Sequence, residues 1–226
     1  MMTILHGENT VKSRARLVEL LQEKSEQGAA VERVEAKTLA RAELETKLVK
    51  TDLFGTERVV VIEELHSLPK SQRKNELIEL AATSNTDLIL WEKRSLTKTM
   101  LKKFPQAEVE EFKLSNALFG WLDTLRGNGG QTQQLTALHQ ALAAEDAYLC
   151  LIMLARQVRL LIEIKDGSQP AGPPWMMKKM SHQADSFTMP QLLQLHSRLL
   201  EIDLAHKTST NNLELDQELD LLIINL

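Results

Sequence analysis

The chain has 226 residues and a mass of 25.6 kDa, a length that suits two domains better than one small domain. Hydrophobic residues make up 43% of it and charged residues 26%, which excludes an intrinsically disordered chain. The formal net charge is −4, from 27 Lys and Arg against 31 Asp and Glu, and this argues against a protein that wraps nucleic acid with a basic face.

Targeting and membrane signals are not expected. The start MMTILHGENT has no charged segment followed by a long apolar one, as a secretory signal would. The two longest apolar stretches, Tyr148–Ile164 and Leu213–Leu226, are interrupted by charged residues and do not suit a membrane span. The lone cysteine, Cys150, cannot form an internal disulfide. The sequence therefore predicts a cytoplasmic protein with no membrane partner.

The first half alternates short apolar segments with amphipathic helical stretches. The strand signal is strongest at Arg58–Glu63 (RVVVIE), because three valines and an isoleucine are stiff at χ1 and suit a buried pleat. The predicted strands are Met2–His6, Val31–Ala36, Arg58–Glu63, Asp87–Trp91 and, as an edge strand, Ala107–Phe112. The predicted helices are Thr10–Gln27, Leu39–Lys50, Ser71–Ala82 and Leu96–Lys103. This alternation predicts a mostly parallel α/β sheet with helices on both faces.

The second half has no strand signals and predicts an all-helical bundle. The predicted helices are Ala117–Arg126, Thr132–Ala143, Asp146–Lys165, Trp175–Gln183, Pro190–Lys207 and Leu213–Leu226. We therefore predict an α/β domain over residues 1–113 and an all-α domain over residues 114–226. The whole charge deficit lies in the second, which has 8 basic and 12 acidic residues against 19 of each in the first.

The turn after the first strand is where a parallel sheet would hold a phosphate group. A phosphate-binding P-loop needs G-x-x-x-x-G-K-[ST], and this turn offers Gly7 and the pair Lys12-Ser13 at one residue too few, with no second glycine. Glu63 and Glu64 follow the strongest strand, where a nucleotidase holds its Mg²⁺ ligand and catalytic carboxylate. We interpret Gly7, Lys12 and Ser13 as a degenerate phosphate loop. Lys12, Ser13, Glu63 and Glu64 are predicted to be ordinary solvated residues at strand ends and not a working ATP site.

Other catalytic chemistry has little support. The six histidines are scattered without metal-ligand spacing, and no G-x-S-x-G motif is present. Cys150 lies in an apolar helical stretch and is predicted to be a small core residue. No catalytic residue, metal or cofactor is therefore predicted.

An apolar pair, Leu53 and Phe54, stands in an otherwise polar connection before the strongest strand. The two side chains either fold inward under the loop or protrude and fill a pocket on a partner protein. In the second case each would contribute roughly 1.5–3 kcal/mol when removed from water. The residues alone leave both alternatives open.

Several stretches, in order along the chain, resemble the delta-subunit family of the bacterial DNA polymerase III clamp loader. ILHGEN resembles that family's opening strand and turn, and TDLFGTERVVVIEEL resembles its clamp-binding wedge and third strand. LARQVRLLIEIKDG resembles its first long collar helix. PPWMMKKMSHQADSFT, followed by LLEIDLAHKTST and LDLLIINL, resembles its closing helices. The resemblance covers nearly the whole chain.

The resemblance implies a fold and a function. The first domain would be an AAA+-like (RecA-like) sheet without a working P-loop, and the second a collar through which loader subunits assemble. The chain would bind and open the sliding clamp with Leu53 and Phe54, and would not itself hydrolyse ATP. The family's small helical lid has no counterpart, since the chain passes from Phe112 almost directly into the helical half.

Two other functions remain open on the sequence: a P-loop-type nucleotide-binding enzyme with a non-standard loop, and a helical protein-interaction module unrelated to replication. Direct DNA binding has weak support, because the basic pairs Arg73–Lys74, Lys93–Arg94 and Lys102–Lys103 are diluted by acidic neighbours. The resemblance implies that primed DNA is a partner in the assembled complex, where the ring of subunits holds it more than any one subunit does.

Overall fold

The computed structural model describes residues 1–49, 56–210 and 213–226. Within them the chain forms two compact units, which we call the α/β unit (Met1–Leu114) and the helical unit (Ser115–Leu226). The predicted fold class, a parallel α/β sheet followed by an all-α region, is confirmed.

The α/β unit is built on five parallel strands in the order β2-β3-β4-β1-β5. The strands are β1 (Met2–His6), β2 (Ala30–Glu35), β3 (Arg58–Glu63), β4 (Asp87–Glu92) and β5 (Glu108–Glu111). The helices are α1 (Thr10–Glu26), α2 (Arg41–Lys47), α3 (Gln72–Thr83) and α4 (Lys98–Leu101), and a single 3₁₀ turn lies at Leu65–Ser67. β5 is an edge strand, as predicted.

Helices cover both faces of the sheet, and the side chains of β3 alternate between the two apolar cores that result. Val59 and Val61 are buried in one core cluster together with Leu17 of α1. Val60 and Ile62 are buried in a second cluster, which includes the apolar residues of α3. Successive side chains of a strand point to opposite faces, so a run of four β-branched residues serves both cores at once.

Two helices of the α/β unit are shorter than predicted. Within the described residues, the predicted helix Leu39–Lys50 forms over α2 alone. Leu39 precedes α2, and its carbonyl accepts from the Arg73 guanidinium at 2.8 Å. The predicted helix Leu96–Lys103 forms only over α4. Its first residue donates its N–H to His6 Nδ1 at 3.2 Å, and the Thr97 side chain caps the helix. The spacing of apolar residues overestimates the length of both helices, because it does not reveal contacts with residues far away in the chain.

The helical unit contains six described helices: α5 (Asn116–Thr124), α6 (Gln131–Ala144), α7 (Ala147–Lys165), α8 (Pro174–Asp185), α9 (Met189–Lys207) and α10 (Leu215–Ile224). Its buried core includes Trp121, Leu138 and Leu154. Cys150 is buried there as predicted, and burial raises the pKa of its thiol to about 12, so it is an unreactive core residue. Within the described residues no helix, including the 19-residue α7 and α9, has the length and apolarity needed to cross a membrane.

Candidate functional site

Gly7, in the turn that joins β1 to α1, is a packing glycine. It has a φ of +138°, which side chains rarely allow, and a Cβ built on it would lie 2.1 Å from the carbonyl oxygen of Phe112. The turn therefore packs directly against the backbone of Phe112, which follows β5.

The backbone N–H groups of this turn are engaged within the protein. Gly7 and Asn9 donate theirs to the carbonyls of Glu92 and Phe112, at 3.3 and 3.0 Å. The Asn9 side chain caps α1 by accepting from the N–H of Lys12 at 3.1 Å, and the N–H of Ser13 goes to the carbonyl of Asn9. In a P-loop these donors face the phosphates. Here they are used for folding, which fits the predicted degenerate loop.

Lys12 and Ser13, the two P-loop-like residues of the turn, lie in different environments. Lys12 is solvent-exposed. Ser13 is buried, contrary to the prediction of a solvated residue, because its hydroxyl donates to the carbonyl of Thr10 at 3.3 Å and accepts from the Trp91 indole at 3.1 Å. The hydroxyl that would coordinate Mg²⁺ in a P-loop thus lies beneath Trp91 and links α1 to β4.

Both carboxylates at the end of β3 are paired with cations of the same unit. Arg14 binds Glu63 at 2.6 Å and stacks on Trp91, with its guanidinium carbon 3.5 Å from the ring centroid. Glu64 is bound by Lys93 at 2.8 Å. Sequence reasoning found Glu63 and Glu64 but missed Arg14 and Trp91, because no motif marks residues that meet only through the sheet.

A cleft of about 420 Å³ lies beside these pairs, at the carboxyl ends of β2 and β3. Its lining includes Arg14 and Lys37 together with Glu35, Glu63 and Glu64. Because cations and carboxylates alternate around it, the cleft presents no uniform charge to an anionic ligand. No group of three metal-ligating side chains occurs within residues 1–49, 56–210 and 213–226.

A buried polar cluster lies at the carboxyl ends of β1 and β4 and was not predicted. Glu92 accepts from the backbone N–H of His66 at 2.5 Å and lies 3.0 Å from His66 Nδ1. His6 accepts the N–H of Leu96 at Nδ1, so that nitrogen carries no proton. Among the residues that the structure describes, His6 Nε2, His66 Nε2 and one Glu92 oxygen have no hydrogen-bond partner. All three side chains are buried, so the cluster is shielded from solvent.

The stability of the α/β unit is expected to fall as the pH drops below about 6.5. Burial lowers the pKa of His6, so the unfolded chain takes up the proton first and folding is progressively disfavoured by acid. One linked proton contributes at most about 1.4 kcal/mol per pH unit. Urea unfolding at a series of pH values between about 7 and 5 measures this slope.

The variant His6→Gln keeps an acceptor for Leu96 and cannot titrate, so its unfolding free energy is expected to depend less on pH than that of the parent chain. His182→Gln, at an exposed position on α8, is the matched control and should keep the parental slope. Equal slopes for the parent and His6→Gln would contradict the assignment.

The basic pairs considered for DNA binding are largely used inside the unit. Arg73 donates to the carbonyls of Ala36 and Leu39 at 2.7 and 2.8 Å. Lys74 donates to two carbonyls near the 3₁₀ turn, at 2.6 and 2.7 Å, and burial followed by the charge of Arg94 lowers its pKa. Arg94 donates to the carbonyl of His66. Lys102 and Lys103 remain solvent-exposed.

The predicted clamp-binding pair, Leu53 and Phe54, lies outside the described residues. The described residues on either side of this pair are held near the amino ends of the strands. The carbonyl of Leu48, after α2, accepts from the Thr86 hydroxyl next to β4. The carbonyl of Glu57 accepts from the N–H of Ala30 at the start of β2, at 2.8 Å. These hydrogen bonds lie at the amino ends of the strands, whereas the degenerate phosphate loop lies at their carboxyl ends.

Comparison with known proteins gives structural neighbours only. No protein-family model and no curated protein matches the chain. The clamp loader delta protein of Bacillus subtilis is 13% identical, with a TM-score of 0.48 and a match over 99% of this chain and 94% of that one. A DNA polymerase III gamma subunit-related protein of Thermotoga maritima is 12% identical, with a TM-score of 0.35 and a match over 99% and 93%. Both neighbours bear the names of clamp-loader or DNA polymerase III proteins, and at these identities and TM-scores neither likeness carries a conclusion about the role of this chain.

Proposed function

We propose that this chain is a delta-like subunit of the DNA polymerase III clamp loader, which binds the sliding clamp and opens it during DNA replication. The observation that carries the proposal is the apolar pair Leu53–Phe54, placed between two anchored flanks on an α/β unit whose phosphate turn is closed by its own hydrogen bonds. Such a unit suits protein binding better than nucleotide chemistry.

In the proposed mechanism, binding energy alone opens the clamp, without a chemical step in this chain. Leu53 and Phe54 insert into an apolar pocket of the clamp, and the energy of that contact favours the open ring over the closed one. ATP hydrolysis is supplied by other loader subunits, since the N–H groups of Gly7, Asn9, Lys12 and Ser13 already have acceptors within the unit.

In this proposal residues 1–113 form the clamp-binding domain, and residues 114–226 form a collar that contacts other loader subunits. Primed DNA is held by the assembled complex, because most of the candidate basic side chains of this chain bind its own carbonyls and carboxylates. The role places the chain in the cytoplasm with the replication machinery.

The experiment that tests the proposal is titration of the full chain with the sliding clamp from the same organism. We expect a complex whose affinity is unchanged by ATP and Mg²⁺, together with opening of one clamp interface, seen as a loss of energy transfer between dyes placed across it. The absence of any complex would refute the proposal. An affinity that requires ATP would favour the nucleotide-binding alternative.

A further inference from the structure

The turn between α5 and α6, residues 125–130, contains the one asparagine of this chain that precedes a glycine. Asn128 and Gly129 are both solvent-exposed. In such a pair the backbone nitrogen of the glycine can attack the side-chain amide carbon of the asparagine, because the glycine has no Cβ to block the approach. The pair is therefore a candidate site for a chemical change of the chain itself.

Gly129 offers an open approach and a free N–H, the two conditions that this attack requires. A Cβ built on it would have nothing within 4 Å, so the space around its backbone is open. Among the residues that the structure describes, its N–H has no hydrogen-bond acceptor, so the nitrogen that must lose a proton is accessible to water. A hydrogen-bonded backbone N–H is protected from proton loss.

The other asparagines of the described residues lack this combination. Asn85 is also exposed, in the connection between α3 and β4. The next residue, Thr86, is β-branched and donates its N–H to Ser84 Oγ at 3.1 Å, so both the approach and the nitrogen are obstructed. The remaining four lie in helices or at helix ends: Asn9, Asn75, Asn116 and Asn225.

The two sides of the turn are fixed, so a change in the backbone between them has a structural effect. The buried side chain of Gln134 accepts the N–H of Arg126 at 3.4 Å and donates to the carbonyl of Gly129 at 3.1 Å. Gly127 is buried, and its carbonyl accepts from the Gln191 side chain at 2.9 Å. Gln134 therefore needs a backbone of normal length between its two partners.

We propose that Asn128 is a site of spontaneous deamidation. The Gly129 nitrogen loses its proton to solvent and forms a bond to Asn128 Cγ. The bond from Cγ to the side-chain nitrogen breaks, and that nitrogen takes up a proton from water and leaves as ammonia. A succinimide ring remains. Water then opens the ring at either carbonyl and restores the N–H, which gives aspartate or isoaspartate without any oxidation or reduction.

The two products differ in their effect on the turn. Aspartate keeps the normal backbone and adds one negative charge two residues before Gly130, the N-cap of α6. Isoaspartate carries the main chain through its Cβ, which adds one carbon between Arg126 and Gly129. Gln134 then cannot keep both of its hydrogen bonds at their present lengths. Only isoaspartate is therefore expected to destabilise the helical unit.

The test is prolonged incubation of the full chain at neutral and at mildly alkaline pH, followed by proteolytic digestion and mass spectrometry. Enzymatic methylation of isoaspartate is the second readout. Deamidation of Asn128 is expected to be at least about tenfold faster than that of Asn85, as a modest difference in activation free energy produces. It should accelerate at alkaline pH, because the attacking nitrogen must lose its proton.

Asp166→Asn provides the matched control, because it places an asparagine before Gly167. Gly167 is exposed, has a φ of +86° against +72° for Gly129, and has the same open surroundings. Its N–H, however, donates to the carbonyl of Ile164 at 3.0 Å. We therefore expect position 166 of this variant to deamidate several-fold more slowly than Asn128. Thermal unfolding checks that the variant is folded.

Asn128→Asp separates the effect of charge from that of the backbone. This variant is expected to unfold at the parental temperature, whereas the aged chain that contains isoaspartate should unfold at a lower one. Deamidation of Asn128 no faster than that of Asn85, or than that of position 166 in folded Asp166→Asn, would overturn the inference. Parental unfolding of the isoaspartate form would contradict the role given to Gln134. None of these outcomes depends on clamp binding.

Discussion

Replacing Leu53 and Phe54 together by alanine is expected to weaken binding of the sliding clamp by about 100-fold or more. Removing a buried Leu or Phe side chain from an apolar pocket costs about 1.5–3 kcal/mol, and each 1.4 kcal/mol corresponds to about a tenfold change in affinity. The loss should appear mainly as faster dissociation, which surface plasmon resonance on immobilised clamp measures directly.

The matched control for this variant is Val11→Ala/Val18→Ala. Both valines are exposed on α1 of the same unit, so the double change removes apolar surface without altering the proposed wedge. We expect the control to bind the clamp like the parent chain. Parental affinity of the Leu53/Phe54 double variant would show that the pair is not the wedge, and an equal loss in both variants would point to a different contact surface.

Gly7→Ala is expected to destabilise the α/β unit by about 3 kcal/mol or more, or to prevent its folding. The new Cβ would lie 2.1 Å from a backbone oxygen that is fixed by the end of β5, and the φ of +138° adds strain of its own. Urea unfolding gives the change in free energy. Hydrogen exchange of the β1 and β5 amides localises it to this part of the sheet.

Gly28→Ala isolates the contribution of the backbone angle. Gly28 has a φ of +83°, but a Cβ on it would meet nothing within 4 Å, so we expect a loss of only about 1–2 kcal/mol. If Gly7→Ala were no more destabilising than Gly28→Ala, the close packing of the β1–α1 turn against Phe112 would be wrong. The turn would then have room for a ligand.

The sequence predicted β1 and β3 with their observed bounds, because apolar and β-branched runs bounded by polar residues are local signals. The cluster of His6, His66 and Glu92 was not predictable in the same way. Its members come from three separate segments, and only the register of β1 on β4 brings His6 beside Glu92. The cluster depends on strand pairing between distant segments, and such pairing leaves no local pattern in the sequence.

The same limit applies to the candidate site. Lys12, Ser13, Glu63 and Glu64 were found by comparison with a motif, and the structure places them near the same edge of the sheet. What each one does there depends on partners far away in the chain, as when Trp91 reaches Ser13 across 78 residues. A motif indicates where a reaction could occur. It does not show which neighbouring groups already form hydrogen bonds with the motif residues. The assignment of Leu53 and Phe54 stays a prediction.

The internal hydrogen bonds of the β1–α1 turn limit how a nucleotide site could be engineered into it. Inserting a second glycine and the one missing residue would leave the N–H of Lys12 bound to the Asn9 side chain, and the Arg14 guanidinium bound to Glu63. Both are groups that could otherwise contact a phosphate. Restoring the spacing of the motif alone is therefore not expected to create nucleotide affinity, and a designer would have to release these two donors as well.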